Sequence, residues 1–263
     1  MPHLSPSIRA ALKFEARRKR LITQGKFAAA RRTYEQQTDF LPDENTGQFW
    51  DDYYHQSPHR VEYPMETWKL NRVLRELDLG QSILNLGVGD GKLEARVAAR
   101  AARPVRLTGV DFTKKLLPRL RKRFPQFTFR FQSSLEGLAF QANSFDQVLL
   151  LEVLEHIIPK NTFAVLGQAY RVLKPGGKLL LSVPINEGLE EMLPVNPNSH
   201  MRLYSEPLLR FELEQAGFRI EKVYRASAFP RFFRSKHFLN SLLRFRPPNN
   251  LLVVARKSAQ RVQ

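Results

Sequence analysis

The chain has 263 residues, no cysteine and a formal net charge of +17. That length suits one domain with a full core, or one domain plus an extension. The missing cysteines exclude disulfides, thiolate metal sites and a cysteine nucleophile. No apolar run is long enough for a membrane span, and the basic N-terminus lacks the apolar core of a signal peptide. A cytoplasmic setting is therefore expected, with peripheral membrane association left open by the charge.

The charge is uneven. Residues 1–40 carry a net +6 and residues 218–263 a net +10, while residues 41–217 are nearly balanced at +1. Basic ends suit an anionic partner such as a membrane surface or RNA, or they are simply solvated helix faces.

In chain order, residues 5–37 read as one or two basic helices broken at Gly25, with Ile8, Leu12, Ala16, Ala28 and Tyr34 as the apolar stripe. Residues 38–47 read as a linker. The expected division is therefore a helical extension with linker over 1–47 and a catalytic domain over 48–263. Gln48–His55 is an aromatic segment, and Trp68–Leu77 a helix leading into the first strand.

Ile83–Leu86 then runs into Gly87, Gly89 and Gly91, spaced G-x-G-x-G, and a helix follows. Glycines in a strand–turn–helix reach positive φ and let a ligand lie against the backbone at the helix N-terminus. A second strand ends at Asp111, 20 residues after the last glycine. A carboxylate so placed suits a ribose diol. G-x-G-x-G in place of G-x-G-x-x-G favours a nucleoside ligand without a pyrophosphate. The basic helix after Asp111, with Lys114, Lys115, Arg119, Arg121, Lys122 and Arg123, reads as a solvated face.

Phe127–Phe131 alternates as a third strand, and Phe145–Leu151 reads as a buried fourth. Glu152, Glu155 and His156 follow directly. Ala169–Val183 reads as a helix end, a Pro-Gly-Gly turn and a fifth strand. Residues 184–199 form a long loop ahead of His200, and Ser205, Glu206 and Pro207 begin a helix. Phe218–Arg225 and Leu251–Arg256 are the last strands, separated by an insertion over 226–250. Phe232, Leu239, Leu242 and Leu243 could share a helical face there, with Arg231, Arg234 and Arg244 elsewhere. A substrate lid, a membrane-surface helix and ordinary core packing all fit that pattern.

The glycine loop, Asp111, the fourth strand with Glu-x-x-Glu-His, and the Lys-Pro-Gly-Gly turn together resemble the class I S-adenosylmethionine-dependent methyltransferases. The similarity is to the subgroup containing ubiquinone-biosynthesis O-methyltransferases, and it covers about residues 60–257. It implies an α/β fold: a Rossmann-like three-layer sandwich with a seven-stranded, mostly parallel sheet whose last strand is antiparallel. It implies S-adenosylmethionine as cofactor, held by Asn85, Gly87, Gly89, Gly91, Asp111, Phe112, Ser134, Leu135 and Glu152, with Leu117 as a further apolar wall around the adenine. Asn85 and Ser134 depart from the family, which usually has an acid at both places. Glu152, His156 and His200 are the candidate catalytic groups, His200 as an alternative base. If the turn after the fourth strand is helical, Glu152, Glu155 and His156 share a face. Some relatives use that pattern for a divalent cation. The same letters occur in members without one, and no metal is expected here.

The expected function is methyl transfer to a small-molecule or lipid-like acceptor, with oxygen the expected accepting atom. The alternatives are an RNA methyltransferase holding phosphates with its basic ends, and a catalytically silent cofactor-binding module.

Overall fold

The structure is a computed structural model that describes residues 6–36, 46–56, 63–133, 135–185, 200–202, 204–227, 233–243 and 247–258. The adenine-edge assignment of Ser134, most of the 38–47 linker, the loop over 186–199 and the insertion residues Arg231, Phe232 and Arg244 lie outside these residues. So do the side chains of Ile8 and Leu12.

Seven strands form one sheet: β1 (Ile83–Leu86), β2 (Leu107–Asp111), β3 (Thr128–Phe131), β4 (Phe145–Leu151), β5 (Leu173–Pro184), β6 (Phe218–Ala226) and β7 (Asn250–Lys257). Their order is β3-β2-β1-β4-β5-β7-β6. The first five are mutually parallel, and β7 runs antiparallel between β5 and β6. The strand order reverses between β1 and β4. A crevice opens at such a point, beyond the carboxyl ends of the strands.

β1 and the centre of β4 are buried on both faces, as expected for apolar runs in a covered parallel sheet. Alternate residues feed two cores. Leu84, Leu86, Val148 and Leu150 face α7 (Thr162–Val172) and α8 (Glu206–Gln215). Ile83 and Leu149 face α4 (Pro64–Glu76), α5 (Lys92–Arg100) and α6 (Leu116–Arg123). The Pro-Gly-Gly turn is absorbed into β5 as an irregularity: pairing with β4 slips between Phe145 and Gln147, and Gly176 takes φ +72°.

The N-terminal helices α1 (Pro6–Thr23) and α2 (Phe27–Gln36) break near Gly25, as expected. Their inner face differs from the expected stripe. Tyr34 is buried as expected, but Ala16 and Ala28 are exposed, while Glu15, Arg18, Ala30 and Thr33 are buried. The polar members bond one another, with Glu15 Oε2 the exception. Arg18 donates to Glu15 Oε1 and Thr33 Oγ1, and its guanidinium lies 3.9 Å from the Tyr34 ring centroid. Tyr34 donates its hydroxyl to Glu212 Oε1 of α8 at 2.6 Å. Arg202 also donates to Glu212 and binds Thr162 Oγ1 at 2.6 Å. The basic arm thus joins the main core through a buried polar network, in which Glu15 Oε2 and Arg202 Nε are left without a hydrogen-bond partner.

Candidate active site

α3 (Gly47–Gln56), the carboxyl ends of β1, β2 and β4, and the segment entering β7 surround a cavity of about 1290 Å³. It is large enough for a nucleoside and a second small molecule side by side.

The glycine loop forms one wall. Gly87 and Gly89 have φ +81° and +58°. A Cβ on Gly87 would sit 2.6 Å from Val153 Cγ2, and one on Gly89 2.9 Å from the Tyr54 hydroxyl. The turn therefore needs glycine for both conformation and space. Gly91 caps α5 in the left-handed region. Asp111 closes β2: its Oδ2 accepts from the Gly89 amide at 3.2 Å, and its Oδ1 from the Thr113 amide and hydroxyl at 3.1 and 2.8 Å. Burial raises the Asp111 carboxyl above its ordinary value, and the hydrogen bonds from Thr113, Gly89 and Phe112 only partly offset this.

Behind the loop lies a residue that the sequence reading did not single out. Asn85 Nδ2 donates to Glu94 Oε1 at 2.8 Å. Asn85 Oδ1 and Glu94 Oε2 are buried without a hydrogen-bond partner. Burial pushes the Glu94 carboxyl up to about 7, aided by Asp90 and Asp111 and opposed by the Asn85 hydrogen bond. The available signal was a carboxylate beside Leu93 on the inward face of α5.

Phe112 and Leu135 line the cavity, together with Phe131, Gln132 and Ser133. The Leu135 amide donates to Ser133 Oγ at 3.2 Å. Leu117 does not line the cavity. It is 1% exposed and packs in the core under α6, because the apolar face of that helix is consumed by the sheet.

Glu152 and its neighbours part company. Glu152 takes φ +55°, a strained value for a side-chain-bearing residue, and precedes a short 3-10 turn over Leu154–His156. Its carboxylate meets Lys69 Nζ at 2.9 Å, Ser182 Oγ at 2.7 Å and Asn250 Nδ2 at 3.1 Å. Burial opposes ionisation, but Lys69 and these hydrogen bonds prevail and hold the carboxyl below its ordinary value. Lys69, 6% exposed and also on the cavity wall, was not foreseen. The shared helical face expected for Glu152, Glu155 and His156 is not formed. Instead Glu155, His156 and His200 place a potential ligand atom each within 4.8 Å of one another. His156 lies edge-on to Trp50 and to His200, with centroids at 4.8 and 5.0 Å. The Met201 amide donates to the Glu155 carbonyl at 2.7 Å, which ties His200 to this turn.

A glycine cradle with no room for side chains, a carboxylate at the end of β2 and an orphaned Asn85 oxygen fit a nucleoside with a cationic amino-acid tail. Comparison with known proteins agrees. Residues 84–181 match the family described as a methyltransferase domain. A ubiquinone biosynthesis O-methyltransferase of Xanthomonas euvesicatoria pv. vesicatoria is 30% identical over 183 residues, which cover 63% of this chain and 74% of that protein. The 27-O-demethylrifamycin SV methyltransferase of Amycolatopsis mediterranei is 34% identical over 43% of this chain and 44% of its own. The chain spans about half the length of other curated relatives it matches. Among solved structures, the [4+2]-cyclase SpnF superposes with a TM-score of 0.60 at 19% identity, over 82% of this chain and 97% of its own, which speaks to the fold alone. The chain belongs to the class I S-adenosylmethionine-dependent methyltransferases.

Proposed function

We propose that this chain transfers a methyl group from S-adenosylmethionine to an oxygen of a small-molecule or lipid-like acceptor held between Trp50, His156 and His200. The observation that carries this reading is the continuity of one cavity from the glycine loop and Asp111 to the paired imidazoles. The names of two relatives, a ubiquinone biosynthesis O-methyltransferase and a 27-O-demethylrifamycin SV methyltransferase, support oxygen as the accepting atom.

Bound in the cavity, the cofactor supplies an electrophilic methyl group. Asp111 would accept from the ribose hydroxyls, and the Asn85 oxygen would accept from the ammonium of the amino-acid tail. Phe112 and Leu135 would hold the base. Trp50, Tyr53 and Tyr54 cover the site and exclude water, so that alignment of the reacting atoms does most of the work. His200, or His156 beside it, takes the proton of the acceptor hydroxyl. Glu152, pinned by Lys69, keeps a fixed negative charge on the cavity wall. The Glu155, His156 and His200 group favours a second version of the same reading, in which a divalent cation on these side chains lowers the pKa of the hydroxyl.

The test is label transfer from methyl-labelled S-adenosylmethionine into a cell extract split into RNA, lipid and small-molecule fractions, comparing wild type with Asp111→Asn. Label in the small-molecule or lipid fraction with wild type only supports the reading. Label in RNA moves the assignment to the basic-end alternative. No label despite cofactor binding supports the silent module. Loss of label with chelator, restored by added metal, selects the cation version.

A further inference from the structure

The insertion between β6 and β7 carries helix α9 (Phe233–Leu243), which turns large apolar residues outward. A surface helix ordinarily turns its apolar stripe inward. Here Phe238, Leu239, Leu242 and Leu243 are 66%, 46%, 64% and 66% exposed. They follow one another at i, i+1, i+4 and i+5 and so share one face. Among the described side chains, those turned inward are polar. Asn240 is 8% exposed and donates to Ser227 Oγ at 2.9 Å, and the His237 ring meets Trp68 edge-on at 4.8 Å. Leu239, Leu242 and Leu243 in particular keep about half or more of their surface in water, a contiguous apolar face of the kind that marks an interaction site.

Charge indicates what meets them. Residues 227–250 contain Arg231, Arg234, Lys236, Arg244 and Arg246 and no Asp or Glu. A second copy of this helix would bring like charges together. A phosphate backbone alone would leave the leucines unburied. An anionic bilayer satisfies both, with acyl chains for the apolar face and headgroups for the cations.

We propose that α9 is a membrane-docking helix that seats Phe238, Leu239, Leu242 and Leu243 in the interface of an anionic lipid bilayer. It lies beside the candidate active site, because the chain runs from it into Pro247, Pro248, Asn249 and Asn250, all on the cavity wall. Docking would bring the cavity next to the lipid phase. This inference does not depend on the acceptor or on catalysis. Among the described residues no helix is long and apolar enough to cross a membrane, so contact through α9 is peripheral.

The full chain is mixed with vesicles of phosphatidylcholine alone, or with about one-third phosphatidylglycerol, and bound protein is measured by flotation. Wild type is expected to bind the anionic vesicles at least about tenfold more strongly than the neutral ones. The Leu239→Gln, Leu242→Gln, Leu243→Gln triple variant is expected to lose about tenfold or more of that binding. Glutamine keeps the helix propensity and the positions are exposed, so folding is retained. Circular dichroism and an unchanged affinity for S-adenosylhomocysteine confirm this. Wild-type binding no stronger than to neutral vesicles, or a triple variant that binds like wild type, overturns the proposal. So does a wild-type dimer in solution that the triple variant breaks, since a second copy would then cover the face.

Discussion

Replacing Glu94 with glutamine should remove a large part of the pH dependence of stability. The Glu94 carboxyl is raised from 4.5 to about 7 in the folded chain, which at about 1.4 kcal/mol per pH unit amounts to about 3 kcal/mol. Below about pH 4.5 the group is protonated in folded and unfolded chains alike and contributes no difference. Between about 4.5 and 7 the unfolded chain ionises while the folded chain holds its proton, so stability falls as pH rises. Above about 7 both are ionised and the loss is complete. The amide of Glu94→Gln has nearly the same shape. Its oxygen can accept from Asn85 Nδ2 and its nitrogen can donate to the orphaned Asn85 Oδ1, so both unmet groups at this contact gain a partner. Urea unfolding followed by circular dichroism at about pH 5.5, 7 and 8.5 should show the variant gaining on wild type as pH rises, by about 2 kcal/mol across that range. A difference between variant and wild type that stays constant across that range would refute the reasoning.

Asp111→Asn should weaken S-adenosylhomocysteine binding about 10- to 100-fold by calorimetry, the loss expected for one charge-assisted pair of hydrogen bonds. Lys69→Met removes the cation facing Glu152. It should cost about 1–3 kcal/mol of stability, and a greater loss near neutral pH than at pH 4 would show that the Glu152 charge is responsible. Tyr34→Phe takes one of the donors from buried Glu212 and should cost about 1–2 kcal/mol in thermal or urea unfolding. No loss would mean that the N-terminal helices are held by apolar packing alone. His200→Gln should abolish methyl transfer while leaving S-adenosylhomocysteine affinity within about twofold. An active variant would pass the proton-acceptor role to His156.

The relation between sequence and site follows from the range over which each interaction acts. The glycine loop, Asp111 and the strands β1, β2 and β4 were legible because their determinants are local. Positive φ demands glycine, a covered parallel strand demands a continuous apolar run, and the spacing of a βα unit places Asp111 at the cavity rim. The resemblance carried by these segments also implied a seven-stranded, mostly parallel sheet and the antiparallel last strand. Helical periodicity showed that α1 and α2 are helices but misplaced their inner face. Tyr34 fits the stripe and is buried against Glu212, but Ala16 and Ala28 are exposed, and Arg18 is buried instead, bonded to Glu15 and Thr33. Leu117 was assigned to the cavity through the resemblance, but the sheet takes up the apolar face of α6, and a family likeness does not say which neighbour such a face meets.

Three decisions belonged to the tertiary structure alone. Lys69, 83 residues before its partner, draws Glu152 away from Glu155. His200 reaches His156 across a loop whose length says nothing about where it returns. Glu94 becomes a titrating group near neutrality only because the packed sheet and α5 remove its water. Each joins residues far apart in the chain or depends on desolvation by the packed core, and neither partner carries a local mark of the other. The chain by itself determined the scaffold and the cofactor loop. Only the closed fold decided which charges meet, which are deprived of solvent, and which apolar face, that of α9, is left turned outward.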